Sequence, residues 1–304
     1  MAGPSREHWT TVKNWAGQQT RRRNKKAAKR IFRPKCLTPI LFSLLALASE
    51  SSMWSASKGY IKPYPYITLP AAASASSIPS LHAKAELIAE NDSIYPGQES
   101  WLGLHFELES GWHIYWINPG DSGEPPKAQS HLPAGFREGP VQWPIPQRID
   151  DHSLVDYGYL GEALLMVPIH SPANLPVGNS IKLGATVKWL VCREICIPEQ
   201  ADLTLSLPIQ RKEAKLQSRW HELFTRTRDR LPRRAPEEWK MTAVSEKDQF
   251  VLNIETGSAQ SQATFFPLEP NQIENAAPQE VSPLPRGVRL KLRKSDQLLN
   301  PFLI

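Results

Sequence analysis

Cysteine is scarce: the 304-residue chain has three, Cys36, Cys192 and Cys196. That excludes a small scaffold held by a dense disulfide framework. Beyond residue 48 there is no unbroken apolar run of 18 residues, so nothing there reads as a membrane-spanning helix. Glycine and proline number 16 and 28, about 14% of the chain, well below the roughly 25–30% of low-complexity sequences. A collagen-like or wholly disordered chain is therefore excluded. No C-x-x-C motif and no usable internal repeat occur. Acid is almost missing from the first 35 residues, where Glu7 stands alone against eleven Lys and Arg. The rest of the chain holds 25 basic and 29 acidic residues. The formal charge of +6 thus belongs to the head alone, which removes nucleic acid as the partner of the body.

What is present begins with that head. The basic stretch leads into the apolar run Leu37 to Ala48, which closes on Ala46-Leu47-Ala48. A positive region, a short apolar region and an A-x-A site read as a signal peptide over 1–48, too short to span a bilayer. Cleavage would remove Cys36 and leave Cys192 and Cys196 in an oxidising compartment. Residues 49–81 are rich in Ser, Ala and Pro and read as a flexible linker.

From His82 the pattern is one of short alternating strands. Leu102, Leu104, Phe106 and Leu108 alternate with Trp101, Gly103, His105 and Glu107, and Trp112–Trp116 alternates again. Ala163–Ile169, Ile181–Val191 and Ala201–Ile209 continue the series between Pro- and Gly-rich turns. Such a series predicts an all-β antiparallel sandwich over 82–210. Leu216, Trp220, Leu223, Phe224 and Leu231 then fall near helical spacing before Pro232, predicting a connecting amphipathic helix within 211–236. Its basic face suits either a membrane surface or a solvated connector docked on a neighbour, and docking is the simpler reading. Phe250–Glu255, Ala263–Leu268 and Gly287–Leu292 read as strands of a second, incomplete β domain over 237–304.

The run Trp189-Leu190-Val191-Cys192-Arg193-Glu194-Ile195-Cys196-Ile197-Pro198-Glu199 carries the most chemistry. Ile181, Leu183, Ala185, Val187, Trp189 and Val191 share one face of the preceding strand, and Cys192 continues the other. Strand geometry therefore predicts an accessible Cys192. Three readings of the pair stay open. A structural staple closing so short a loop contributes only about 2 kcal/mol. A redox dithiol needs a reachable thiolate and a resolving thiol. A Cu(I) site needs soft ligands, but no nearby His or Met supplies an obvious third one. Arg193 favours a thiolate and Glu194 opposes it.

Gly111-Trp112-His113-Ile114-Tyr115-Trp116, Asp156-Tyr157-Gly158 and Cys192-x3-Cys196-Ile197-Pro198-Glu199, in that order, resemble the periplasmic N-terminal domain of the DsbD family of thiol:disulfide interchange proteins. The cysteine run is most similar to the ScsB-type branch, associated with copper tolerance. The resemblance covers about 82–210 and implies an immunoglobulin-like fold. It implies that Cys192 and Cys196 are the catalytic redox pair of a protein-disulfide reductase component. Tyr157, with Tyr159 and Asp156 beside it, would belong to a loop capping the pair; DsbD-type members carry an aromatic where Asp156 stands. Arg193, Glu194, Pro198 and Glu199 would form the thiol environment. The implied partners are a thioredoxin-like donor domain, periplasmic disulfide-exchange proteins and a membrane-embedded electron-transfer partner. No cofactor and no metal are implied. Whole family members add a membrane domain and a terminal thioredoxin-like domain, so this chain is expected to be a relay subunit or a shortened product.

Overall fold

The computed structural model describes residues 74–79, 82–151, 153–211 and 217–298, all within one compact unit, Pro65–Ile304. The signal-peptide reading, Cys36 and most of the linker reading lie outside the described residues. The chain order is β1 (Ser74–Ala75), β2 (Ser77–Pro79), β3 (Ala83–Ala89), β4 (Glu99–Leu108), β5 (His113–Gly120), β6 (Lys127–His131), β7 (Arg137–Glu138), β8 (Gln147–Asp151), β9 (Leu154–Leu160), β10 (Glu162–His170), β11 (Ser180–Cys192) and β12 (Cys196–Pro208). A helix α1 (His221–Asp229) follows, then β13 (Lys240–Ser245), β14 (Gln249–Glu255), β15 (Glu280–Leu284) and β16 (Gly287–Arg293).

The first twelve strands make an immunoglobulin-like antiparallel sandwich. One sheet has the order β1-β12-β11-β5-β9-β8, with β6 also paired to β11; the facing sheet is β2-β3-β4-β10-β7. The alternation explains the packing between them. Leu183, Ala185, Val187, Trp189 and Val191 of β11 meet Leu102, Leu104 and Phe106 of β4 in one buried cluster. Burying each large side chain of this kind contributes about 1.5–3 kcal/mol. Trp189 meets Phe106 edge-on, with ring centroids 5.5 Å apart.

The helix docks rather than floats. Leu223 and Phe224 pack with Ile88, Leu164 and Met166 on the outer face of the second sheet. Gly103 makes room, since a Cβ there would stand 2.4 Å from Leu164 Cδ1 and 3.1 Å from Phe224 Cζ. Arg228 donates to both carboxylate oxygens of Glu90, at 2.8 and 2.5 Å. The helix is shorter than its apolar spacing predicts. Gln217 bridges Asn91, and the Ser218 N–H donates to Glu90 O, so that backbone is committed to a strand edge before the helix begins.

Two further expectations are corrected. The end of the presumed linker is paired: β1 lies on β12 and β2 on β3. The edge of β12 offers unpaired backbone groups, and the Thr204 N–H donates to Ser76 Oγ at 2.8 Å. Ala263–Leu268, read as a strand, is an irregular segment. Its polar backbone is satisfied by a side chain: the Phe265 N–H donates to Gln279 Oε1 at 2.8 Å, and Gln279 Nε2 donates to Phe265 O at 2.9 Å. The remaining strands form a third sheet, β13-β14-β16-β15. Phe250, Val288, Leu290, Leu292 and Ile273 make its core, whereas all six residues of β13 are exposed.

Candidate functional site

The site grows from the tip of the β11–β12 hairpin. The two strands stay in register to their ends, where Cys192 faces Cys196. Their sulfurs form a disulfide, with the Cα atoms 4.2 Å apart. The turn is closed by the Arg193 N–H donating to Ile195 O at 3.1 Å.

The two sulfurs have unlike surroundings. Cys192 is 1% exposed, against the accessible position that strand phase predicts for it, while Cys196 is exposed. Phase alone gives the face and not its cover. Cys192 pairs on its other side with His113 of β5, and the outer-facing residues of that strand, His113 and Tyr115, are themselves buried. They stack edge-on, 5.0 Å between centroids. An inner strand with buried neighbours on its outer face buries its last residue too. The reachable sulfur is Cys196.

Tyr115 is the residue that sequence reasoning missed. Its hydroxyl lies 3.5 Å from Cys196 Sγ and 3.3 Å from Ser122 Oγ. The Ser122 hydroxyl and N–H donate to Asp156 Oδ2 and Oδ1, at 2.9 and 3.0 Å. A disulfide sulfur carries no hydrogen, and the serine hydrogen is committed to the carboxylate. In both contacts it is therefore the Tyr115 hydroxyl that has a hydrogen to offer, to Ser122 Oγ or to Cys196 Sγ. The ring rests on Gly123, whose φ of +74° and lack of Cβ are both required: a Cβ there would stand 2.1 Å from Tyr115 Cζ. One signal was legible, since Tyr115 follows His113 by two residues and must share its face.

The presumed capping tyrosines lie elsewhere. Tyr157 and Tyr159 are 0% and 2% exposed and face the core from β9. The Tyr157 hydroxyl donates to Asn275 Oδ1 at 2.9 Å, and that of Tyr159 to Pro144 O at 2.8 Å. Burial pushes the Tyr157 phenol up to about 12, with Arg148 opposing and Asp121 adding to the shift. Burial raises that of Tyr159 as well. On β9, Asp156 points the opposite way from its neighbour, so it is the member of this trio brought to His113 and Ser122, the neighbours of the cysteine pair and of Tyr115. Its Oδ2 is 3.7 Å from His113 Nε2, both side chains being buried.

Of the residues expected around the thiols, Arg193 lies over the Trp112 ring, 5.3 Å from its centroid, and 3.8 Å from Glu194. Both are exposed at the tip, as is Ile195, 65% exposed. Glu199 sits opposite Trp189, with a buried Oε2. Pro198 lines an open groove of about 370 Å³ together with Leu190, Lys188, Pro125, Lys127 and Glu124. The hairpin register places Leu190 and Lys188 on the face that Cys192 shares, and Pro198 on the face that Cys196 shares. Among the described residues, no cluster of three or more His, Cys, Asp or Glu is arranged to hold a metal ion, and no helix is long and apolar enough to cross a membrane.

Comparison with known proteins bears on this sandwich directly. Residues 84–208 match the family model described as thiol:disulfide interchange protein DsbD, N-terminal. These residues are a DsbD N-terminal-like domain. The fold agrees with the N-terminal periplasmic domain of ScsB from Proteus mirabilis, at 16% identity and a TM-score of 0.53, over 71% of this chain and 82% of that one. The yeast GGA1 GAE domain matches at 12% identity and a TM-score of 0.26, over 44% and 99%. The sporulation control protein Spo0M from Bacillus subtilis matches at 12% and 0.22, over 57% and 79%. The last two likenesses are too low to carry an argument. No curated protein matches the chain.

Proposed function

We propose that this DsbD N-terminal-like domain is a thiol:disulfide interchange module that works in the periplasm, its Cys192/Cys196 pair cycling between disulfide and dithiol. The observation that carries the reading is the asymmetry of the pair: an exposed residue, Cys196, whose sulfur lies beside a phenol, joined to Cys192, a residue only 1% exposed. A structural staple has no use for one open sulfur with a hydrogen-bond donor aimed at it.

The exchange balances as follows. A thiolate of a thioredoxin-like donor attacks Cys196 Sγ, the Cys192–Cys196 bond breaks, and Cys192 leaves as a thiolate. The donor's second thiolate then attacks the donor sulfur of the mixed disulfide, releasing Cys196 as a thiolate. The donor ends as a disulfide; the pair ends as a dithiol after taking up two protons. Passing the electrons to an exported disulfide protein is the same sequence in reverse. Tyr115 stabilises, through its O–H, the charge that develops on Cys196 Sγ as it is released in the second step, and Ser122 with Asp156 holds the phenol in place. The groove beside Pro198 and the exposed Ile195 give a donor domain an apolar seat next to the reacting atom.

Equilibration in dithiothreitol redox buffers tests this. A midpoint above about −300 mV is expected of an exchanging pair. A disulfide that persists at lower potentials has the character of a structural bridge and ends the relay reading.

A further inference from the structure

Between Tyr115 and Gly120 the pairing of β5 with β9 slips out of register. The bulge so formed starts at the residue whose hydroxyl meets Cys196 Sγ. It is held from outside the sandwich. Asn118, 1% exposed, donates through Nδ2 to Pro267 O at 2.8 Å and to Glu269 O at 3.2 Å, and its Oδ1 accepts from the Gly120 N–H at 3.1 Å. Phe266 packs edge-on against Trp116 and Tyr157, with centroids 6.3 and 5.3 Å apart.

The far end of the bulge is held by the same segment. Asn275, 5% exposed, donates through Nδ2 to Asp121 Oδ1 at 2.8 Å and accepts the Tyr157 hydroxyl on Oδ1. Arg148 Nη1 donates to Asn275 O at 2.6 Å. Asp121 Oδ2 in turn accepts the Val155 N–H at 2.7 Å. The next residue after each, Ser122 after Asp121 and Asp156 after Val155, completes the chain to Tyr115. The segment is itself anchored in the third sheet. Ile273 bridges Lys294 and sits in that sheet's core, and the Glu274 N–H donates to Arg293 O at 2.9 Å.

We propose that residues 265–275, between β14 and β15, are a positioning clamp for the sulfur pair: they fix both ends of the β5 bulge, and so set how closely the Tyr115 hydroxyl stands to Cys196 Sγ and how closed Cys192 stays beside the buried His113 and Tyr115 of β5. Phe266 acts through Trp116 and Tyr157, Asn275 through Asp121 and Tyr157, and the Pro267 and Glu269 carbonyls through Asn118. The third sheet is on this account part of the redox site. The inference takes its functional weight from the interchange reading, but its test reads sulfur accessibility and not electron transfer.

The full chain is reduced and labelled with iodoacetamide, and the rates at Cys192 and Cys196 are read separately by peptide mass spectrometry. Asn275→Ala is expected to speed labelling of Cys192 about fivefold, the scale set by loss of a buried hydrogen bond in local opening. Labelling of Cys196 should change less than about twofold, because that sulfur is already open. Phe266→Ala should act in the same direction. Tyr157→Phe removes a single hydroxyl and keeps the ring, so it serves where Phe266→Ala does not fold, with a smaller rise at Cys192. Unchanged Cys192 labelling in folded Asn275→Ala and Tyr157→Phe overturns the clamp, and so does an equal rise at both cysteines. A redox titration that shows an inert bridge would end the interchange reading and leave this accessibility result standing.

Discussion

The two arms of the β11–β12 hairpin end in the same residue type, in register with each other, and yet differ at their tips. β11 is an inner strand, flanked by β6 and β5 as well as β12. Among the described residues, β12 has β1 on its other side only near its far end, at Leu205 and Ser206. Cys192 is therefore covered and Cys196 is not. Exposure at a strand end is set by how many strands flank it and what their outer faces carry, not by pleat phase alone. An exchanging pair gains from this difference, since a sealed sulfur is protected from stray thiols while its partner stays open to a docked one.

The largest expected effect comes from breaking the inner arm. Trp189→Ala should cost about 3–5 kcal/mol of stability, because the ring is 4% exposed and packed on Phe106. Gln200→Ala, on the exposed face of the outer arm, should stay within about 0.5 kcal/mol. Urea unfolding of both variants measures the contrast, and equal losses would remove it.

A smaller effect comes from unsealing Cys192 without touching either arm. Gly123→Ala places a methyl where the Tyr115 ring lies, and the positive φ adds strain. Reduced Cys192 should then be alkylated about tenfold faster, a difference of about 1.4 kcal/mol. Labelling kinetics that match the parent chain would mean that the buried outer face of β5, which Tyr115 shares with His113, does not seal Cys192.

The smallest effect lies on β9, whose two faces divide the labour. The Tyr157 phenol is raised to about 12 by burial, while in the unfolded chain it titrates near 10. Its contribution is complete below about pH 10 and is lost as pH climbs from there through about 12, because the unfolded state releases its proton first. The slope from this group is at most about 1.4 kcal/mol per pH unit. Tyr157→Phe should flatten alkaline unfolding in that window, as followed by tryptophan fluorescence, at a cost near neutrality of about 1 kcal/mol for the lost hydrogen bond. An alkaline limb identical in both proteins would contradict the buried phenol.

Much of the sandwich was legible because period-two alternation states which residues meet. Leu102 to Phe106 and Leu183 to Val191 declare their faces unaided, and the order of the aromatic and cysteine motifs pointed to the family. What was not legible depends on neighbours distant in sequence. The burial of Cys192 comes from β5, some 80 positions earlier. Tyr157 and Asp156 are adjacent, so a strand must send them to opposite faces, and a resemblance that treats them as one capping loop cannot choose between them. The segment around Phe266 has the composition of a strand, but its bonding partners are the Gln279 side chain and the first sandwich, which no local period encodes.

The central claim is that Cys196 is the sulfur attacked from outside and Cys192 the one that resolves. Its most direct test is capture of oxidised glutathione by the full chain carrying Cys192→Ser or Cys196→Ser, with the modified cysteine identified by peptide mass spectrometry. The account predicts a mixed disulfide at Cys196 in the first variant, formed at least about tenfold faster than any at Cys192 in the second. Equal capture at the two positions, or faster capture at Cys192, would contradict it.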